Sequence, residues 1–532
     1  MTIKRSAATF AFAALLANLT FVGTGCGAFG GSDDDDAPPS PAPQMLPSRN
    51  DDAPKAPPVG GAATPSELTD ELGIFVAAAP KGAAGADGTH ARPLASIQAG
   101  IDRAKRVGKR VYVCSGTFEE AITLADSISL IGSLDCTDTT WRTGGSRTLV
   151  ASPTSPAVRA TDITSSTRVE GLEITAPNAT QPSGNSIGLF ATRSSGLVIA
   201  STKIRAGNAM KGDDGTDGIQ LSNSLTANGA PATTAAACVH NSTCQFAFGV
   251  GWYRPIPAAA GTNACVGAPG HTAEPGGVGG SGGVWEPVND VSAFHFHPYK
   301  ANAANASDSG DLNHGGAPGI NGTDGANAAA LGSITNDGYV PATGKAGTDG
   351  FPGQGGRGGA GRTPEPEYDP NTAAVSGVWR GFGGAGGGAG GCPGLAGTAG
   401  GGGGASIAAL LVESKITFDA VELRSYKGGD AGHGAFGSAP TAGGSRGTNG
   451  YASTMSAKDG GHGGAAGFGG NGSNGPSIGI AHVGAAPDVR PNTTITIGIG
   501  GAAIPARSRD TFGVVKTIPA TPAGLAKEIL AL

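Results

Sequence analysis

The chain has 532 residues, 38% of them hydrophobic and only 5% aromatic, with 95 glycines. So few large side chains cannot fill one thick globular core, and a thin, elongated core of small residues suits the composition. Net charge is −6, from 35 basic and 41 acidic residues. No basic stripe is present, so nucleic acid is not an expected partner. At the N-terminus Lys4 and Arg5 precede an apolar run from Ala7 to Val22, which ends in Gly23-Thr24-Gly25-Cys26-Gly27. That is the pattern of a processing signal, too short for a membrane span.

Residues 1–26 resemble a bacterial lipoprotein signal, in which Cys26 becomes the lipidated first residue of the mature chain. Gly23 departs from it, standing where an aliphatic residue is usual, and plain secretion with cleavage nearby is the alternative. The resemblance implies export and a lipid anchor in a membrane of the cell envelope, at the outer membrane or cell surface. Residues 27–68 then carry the acidic run Asp33 to Asp36 and eight prolines between Pro38 and Pro58. Such a segment buries too little apolar area to offset its chain entropy and reads as a tether.

Order is expected from residue 69. Ile74-Phe75-Val76-Ala77 reads as a strand, and Asp87-Gly88-Thr89 as a loop. Ile97, Ile101 and Ala104 share one helical face behind a Ser96 N-cap. Short β-rich runs follow at Val111–Val113, Ile122–Leu124, Ile128–Ile131, Thr148–Val150, Val169–Ile174 and Gly196–Ile199. Apolar and polar side chains alternate in them, as strands with one buried face require. Gly171-Leu172-Glu173-Ile174 and Gly196-Leu197-Val198-Ile199 lie 25 residues apart, so the reading is a solenoid whose coils stack on one another.

The order strand, Asp-Gly-Thr loop, Pro93-Leu94-Ala95-Ser96-Ile97-Gln98, Val111-Tyr112-Val113 and Gly116-Thr117-Phe118-Glu119-Glu120 resembles the pectin-lyase-like right-handed parallel β-helix family. The resemblance implies an all-β right-handed parallel β-helix with an N-terminal capping helix. It covers residues 73–204 and speaks to fold, not to reaction.

One coil recurs downstream. Residues Ser195 to Arg205 align without a gap on Ser414 to Arg424, and Ser186-Ile187 matches Ser406-Ile407 and Ser477-Ile478. The chain therefore divides into N-terminal coils at 69–206, an insertion at 207–405, a coil at 406–426, a second insertion at 427–476, and a final coil with C-terminal cap at 477–532. In the insertions glycine falls on every third residue, as at Gly344, Gly347, Gly350, Gly353, Gly356 and Gly359. A polyproline II-type helix has three residues per turn, so these glycines would line one edge where backbones approach closely. The insertions resemble the glycine-rich sandwiches of some phage adhesin tips. A flexible glycine linker is the other reading.

Six cysteines remain besides Cys26: Cys114, Cys136, Cys238, Cys244, Cys265 and Cys392. An even number in an exported chain favours disulfides over metal or redox chemistry. Cys114 and Cys136, about one coil apart, are the expected inter-coil bridge.

Candidate chemistry is sparse. Polygalacturonases share the resembled fold and use paired aspartates with a Gly-His-Gly and an Arg-x-Lys. Asp213-Asp214, Gly432-His433-Gly434 and Gly461-His462-Gly463 are present, but the only Arg-x-Lys, Arg103-Ala104-Lys105, falls on the capping helix. Glycosidic chemistry needs an acid and a base held a few Å apart on rigid elements, and these groups fall in loops. Glu170, Glu173, Asp419 and Glu422 read as isolated members of a solvated face. His295 and His297 read as a surface pair without a third ligand. Aromatic residues cluster in the first insertion, with Trp252, Tyr253, Trp285 and Trp379 as a possible stacking patch for sugars or a partner protein, or else as a small local core. No catalytic residue, metal or cofactor is expected. The expected function is a structural or adhesive one at the cell envelope, with surface polysaccharide or another envelope protein as partner. The alternative is a polysaccharide-binding or polysaccharide-degrading protein.

Overall fold

The computed structural model describes residues 68–137, 140–232, 257–278, 315–329, 331–361, 383–448 and 456–532, with four further strand backbones between 285 and 378. It is mostly β, and its helix, α1 (Ile97–Val107), has 11 residues. Three parallel sheets form the frame. The first runs through Gly73–Val76, Arg110–Cys114, Leu130–Asp135, Thr167–Glu170, Leu197–Ala200, Thr417–Asp419 and Asp488–Val489. The second runs from Thr117–Phe118 through Thr148–Ala151, Leu172–Thr175, Lys203–Arg205 and Glu422–Arg424 to Thr494–Thr496. The third holds Ile122–Thr123, Val158–Thr161, Ser186–Thr192, Ser406–Val412, Ser477–Val483 and Ala526–Ala531.

The chain visits these sheets in rotation, so each strand lies beside its counterpart from the previous round. Inward residues of all three sheets, among them Leu130, Val169, Leu172, Ile174, Leu189, Ile199, Phe418, Leu423 and Ile480, make one continuous core. The expected strand Val169–Ile174 is two strands that meet at Gly171, whose φ of +74° turns the chain from the first sheet into the second. The 25-residue interval is corrected for the same reason. Gly171–Ile174 belongs mainly to the second sheet and Leu197–Ile199 to the first, and the true neighbours are Thr167 with Leu197 and Glu173 with Lys203, thirty residues on.

Helix α1 covers the first-round end of this core. Ser96 accepts the Ala99 N–H, and Gly108 closes the other end in the left-handed conformation. Ile97, Ile101 and Ala104 join the main core cluster. Glu120 reaches back from the turn between Thr117–Phe118 and Ile122–Thr123 and accepts the N–H groups of Ile97 at 2.6 Å and Gln98 at 3.1 Å. A carboxylate at a helix N-terminus satisfies otherwise orphaned donors and complements the helix dipole. Outside the first sheet, Phe75, Tyr112 and Trp141 form a second small core beside the bonded pair Cys114–Cys136, whose Cα atoms are 5.8 Å apart.

The insertions leave the frame without breaking its hydrogen bonds. Lys203–Arg205 pairs with Glu422–Arg424, and beyond the strands Ala206, Ala209, Gly212, Gly215 and Gly218 go on donating to the carbonyls of Arg424, Lys427, Asp430, His433 and Phe436. The step of three residues matches a polyproline II-type helix. The same step recurs throughout. Gly344, Gly347, Gly350, Gly353 and Gly356 donate to Gly400, Gly397, Gly394, Gly391 and Gly388 in antiparallel order. Gly391, Gly394, Gly397 and Gly400 donate in turn to Gly461, Gly464, Gly467 and Gly470 in parallel order. Segment 383–405 lies at the centre, bonded to six neighbouring lattice stretches at 210–230, 258–261, 274–277, 344–359, 429–447 and 458–473. These residues therefore form a packed lattice rather than a flexible linker. Cys265–Cys392 ties two of its segments together, and the hairpin of Ser333–Thr335 and Gly338–Val340 folds Tyr339 onto the outer apolar face of the third sheet.

A second device keeps the lattice in register. At five places an Asp or Asn precedes a lattice glycine and its side-chain oxygen accepts the N–H of the residue whose carbonyl that glycine bonds. Asp214 accepts from His433 and Asn321 from Ala465, both at 2.8 Å, while Gly215 and Gly322 donate to the same two residues. Asp217, Asn228 and Asp324 repeat the arrangement. Each clamp satisfies a backbone donor that faces no carbonyl.

Two consequences are measurable. A Cβ on Gly350 would overlap the carbonyl oxygen of Gly464, so Gly350→Val will open the lattice locally. Limited proteolysis will then cut near residue 350, whereas Ala346→Val, at an exposed position, will leave the wild-type pattern. Thr348 is not such a neutral position, because its hydroxyl accepts the Thr323 N–H at 2.7 Å. Equal cleavage of wild type and Gly350→Val would contradict the packing. Separately, Glu120→Ala will lower stability by about 1–2 kcal/mol in urea unfolding, as loss of a helix N-terminal acceptor does.

Candidate functional site

The second sheet turns its polar side outward. Along its strands Leu172, Ile174, Ile204 and Leu423 point into the core, so the alternating residues Glu173, Lys203, Arg205, Glu422 and Arg424 face away from it. Parallel register stacks them into two rows, Leu149–Glu173–Lys203–Glu422–Thr494 and Ala151–Thr175–Arg205–Arg424–Thr496. Neighbouring strands lie about 4.8 Å apart, so side chains within a row are in reach of each other.

Two of the carboxylates expected to be isolated, Glu173 and Glu422, are thus gathered. Lys203 bonds Glu422 at 2.6 Å, and Arg205 bridges Glu173 at 3.1 Å and Glu422 at 3.6 Å. The Lys203 hydrogen bond, with the charges of Lys203, Arg205 and Arg147, outweighs partial burial and holds the Glu422 carboxyl below its usual range. Arg424 stands beside Arg205 in register, and its guanidinium lies over the Tyr426 ring at 4.8 Å. Around the corner toward the first sheet, Arg168 pairs with Glu170 at 2.6 Å. A cleft of 390 Å³ opens there, lined by Ser133, Thr143, Ser146, Arg147, Glu170 and Ser201. The arrangement can present guanidinium, ammonium and hydroxyl groups to an acidic or polyhydroxylated ligand. Glu422, held ionised, is suited to accept hydrogen bonds rather than to donate a proton near neutrality.

Other predicted residues fall differently. Asp214 and His433 do come together, but through the His433 backbone N–H, on lattice segments. Burial pushes the Asp214 carboxyl up, while Lys211 and that N–H outweigh it, so it too lies below its usual range. Burial first, then Arg507, lowers the His433 ring. Arg103 and Lys105 sit on α1, away from both. Asn471 and Asn474 are buried and accept lattice N–H groups. Cys26, Cys238, Cys244, Trp252, Tyr253 and Trp379 lie outside the described residues, as does the side chain of Trp285. Among the described residues no group of three or more His, Cys, Asp or Glu could hold a metal ion, and no helix is long and apolar enough to cross a membrane.

Sequence reading missed two features. The charged rows were hidden because Glu173 and Glu422 are 249 residues apart and become neighbours only through the 219-residue step from Lys203 to Glu422. The Asx clamps had a visible signal, Asp or Asn before a periodic glycine, as in Asp214-Gly215, Asp217-Gly218 and Asp324-Gly325. Among known proteins, no family model, no curated protein and no solved structure matches this chain.

The lowered Glu422 carboxyl gives a pH test. A depressed carboxylate adds stability above its ordinary value of 4.5, which is lost as pH falls through its folded value. Lys203→Met will therefore destabilise the fold at pH 7 by roughly 1 kcal/mol, a figure already reduced for the partial exposure of the pair. The gap to wild type will close in thermal melts taken below pH 4. A gap that persists undiminished at pH 3 would show that Lys203 acts through packing alone.

Proposed function

We propose that this is an exported, lipid-anchored protein of the cell envelope, a right-handed parallel β-helix of the pectin-lyase-like kind that holds a glycine lattice in a structural or adhesive role. One observation carries the reading. The lattice continues the hydrogen-bond ladder of the coils, so the insertions are built as a rigid extension of the frame with fixed faces, which is what a surface contact element requires. Three parallel sheets visited in rotation support the solenoid, and α1 over its first round is the capping helix of that proposal. Two disulfides, Cys114–Cys136 and Cys265–Cys392, point to an oxidising, extracytoplasmic location. The anchor rests on Cys26 and the apolar run before it.

The charged rows and the cleft beside Arg147 favour a second reading, in which the second sheet binds an acidic polysaccharide. The two readings separate by variant. On cells producing the protein, Gly350→Val will reduce retention on a surface under flow several-fold, and Arg205→Ala will leave it within twofold. The reverse ranking, or reducing ends released from a uronic acid polymer by the purified protein, would replace the adhesive reading with the second. Cys26→Ala will move the protein from the membrane to the soluble fraction or leave an uncleaved precursor. A wild-type protein that is unmodified at Cys26 and freely soluble would remove the anchor.

A further inference from the structure

Residues 504–522 make a third, short excursion between the frame strands Thr494–Thr496 and Ala526–Ala531. Reciprocal bonds between Ile504 and Thr521, both 2.9 Å, close its base. Beyond them Arg507–Thr511 and Val514–Ile518 pair as an antiparallel hairpin, and among the described residues they pair with no other strand. A two-stranded hairpin is marginal in water by itself, so this one owes its shape to the surface beneath it.

That surface is the lattice. Ile518 is fully buried against Phe436 and Phe468. Arg509, on the first strand, bonds Asp217 at 2.7 Å, and its guanidinium lies 4.4 Å from the centre of the Phe436 ring. Lys516, on the second strand, bonds Asp324 at 2.9 Å. Arg507 donates to the Gly434 carbonyl, and at the tip Phe512 meets the His462 ring at 5.4 Å. These contacts fall on four segments that become neighbours only when both long insertions have packed. Side chains that hold the lattice also hold the hairpin, because a carboxylate has two acceptor oxygens and an amide has an acceptor and a donor. Asp217 accepts the Phe436 N–H through Oδ1 and Arg509 through Oδ2. Asn471 accepts the Gly434 N–H at 2.8 Å and donates to the Pro519 carbonyl at 3.0 Å. Asn474 accepts the Ala431 N–H and donates to the Pro522 carbonyl, both at 2.7 Å.

We infer that residues 504–522 are a strap: an element that opens by itself, closes only over an assembled lattice, and stiffens that lattice while closed. Separate opening follows from burial. Ile518 and Thr511 are the buried residues of the two strands, while Phe512, Val514 and Val515 are exposed, and a segment with so few buried apolar contacts opens at lower cost than the frame. Closure holds Asp217, Asn471 and Asn474 in the rotamers that keep their oxygens on lattice N–H groups. Lifting the strap frees those side chains and uncovers Phe436 and Phe468, now 5% and 6% exposed. Both ends of the strap run into the frame, so the last round of coils holds it in place over the lattice.

Amide hydrogen exchange on the full protein, read by mass spectrometry, tests this. In wild type the strap will exchange faster than the frame strands Leu197–Ala200 and Lys203–Arg205. Ile518→Asp will hold the strap open. Exchange in residues 507–518 will then rise most, exchange in 434–438 and 466–472 will rise several-fold, and exchange in 197–205 will stay within twofold. Arg509→Gln combined with Lys516→Gln leaves Ile518 in place and will raise the same two sets by a smaller factor, so the comparison stands even where Ile518→Asp does not fold. Exchange that rises equally in strap and frame would make the hairpin part of one cooperative unit. Unchanged exchange in 434–438 and 466–472 would show that it covers the lattice without fastening it. Either result overturns the inference.

Discussion

The structure depends on how closely two backbones can approach. At Gly350, Gly353 and Gly391 the space a Cβ would need is occupied by a carbonyl group of the neighbouring segment. Every alanine or larger residue at such a point would push the segments apart and break the ladder, which is why glycine recurs at the third residue and not at random. Glycine loses much conformational freedom on folding. Here that loss is offset by hydrogen bonds repeated at each turn and shared among several neighbours, with six lattice stretches around segment 383–405. Side chains contribute little to the lattice interior, so cohesion comes mainly from the main chain.

That cohesion is inherited from the parallel sheets. The second-sheet strands Lys203–Arg205 and Glu422–Arg424 fix which residue of the first insertion lies beside which residue of the second, and the ladder carries this register outward through Gly212, Gly215 and Gly218. A long insertion is ordinarily a loop whose closure costs entropy and whose conformation is loosely set. Starting from two strands already in register removes much of that freedom. The clamps at Asp214, Asp217 and Asn321 then make a slip by one triplet costly wherever the shifted position lacks an acceptor.

Much of the frame was readable in the sequence because its signals are local. Ser96, the Ile97–Ile101–Ala104 face and the alternation in Thr148–Val150 each declare themselves within a few residues. The matched coils Ser195–Arg205 and Ser414–Arg424 announced a neighbour relation across more than two hundred residues, and Val198 does lie beside Thr417. The corner at Gly171 was misread because Val-Glu-Gly-Leu-Glu-Ile alternates as one strand would, and only the positive φ shows the turn. The charged rows were beyond reach for another reason. Side-chain contact across a sheet depends on the round-to-round step, which here varies from 19 residues between Val111 and Leu130 to 220 between Ser186 and Ser406.

The clamps also bear on how the protein ages. Asn-Gly is the dipeptide most prone to lose its amide, because the glycine nitrogen can turn on the asparagine side chain and close a five-membered imide. The lattice carries Asn228-Gly229, Asn321-Gly322, Asn471-Gly472 and Asn474-Gly475, and in each the glycine N–H is already committed to a carbonyl of a neighbouring segment. The same bonds that set register hold the attacking nitrogen out of reach. Where the reaction does occur without isomerisation, its product keeps the accepting oxygen, so at Asn228 and Asn321 the clamp on Ser445 and Ala465 survives the change. At Asn471 and Asn474 the amide also donates, to the Pro519 and Pro522 carbonyls, and there the damage would cut a tie to the C-terminal segment. Chemical wear in this protein is therefore graded by position, mild at the outer clamps and severe where the lattice meets the last stretch of chain.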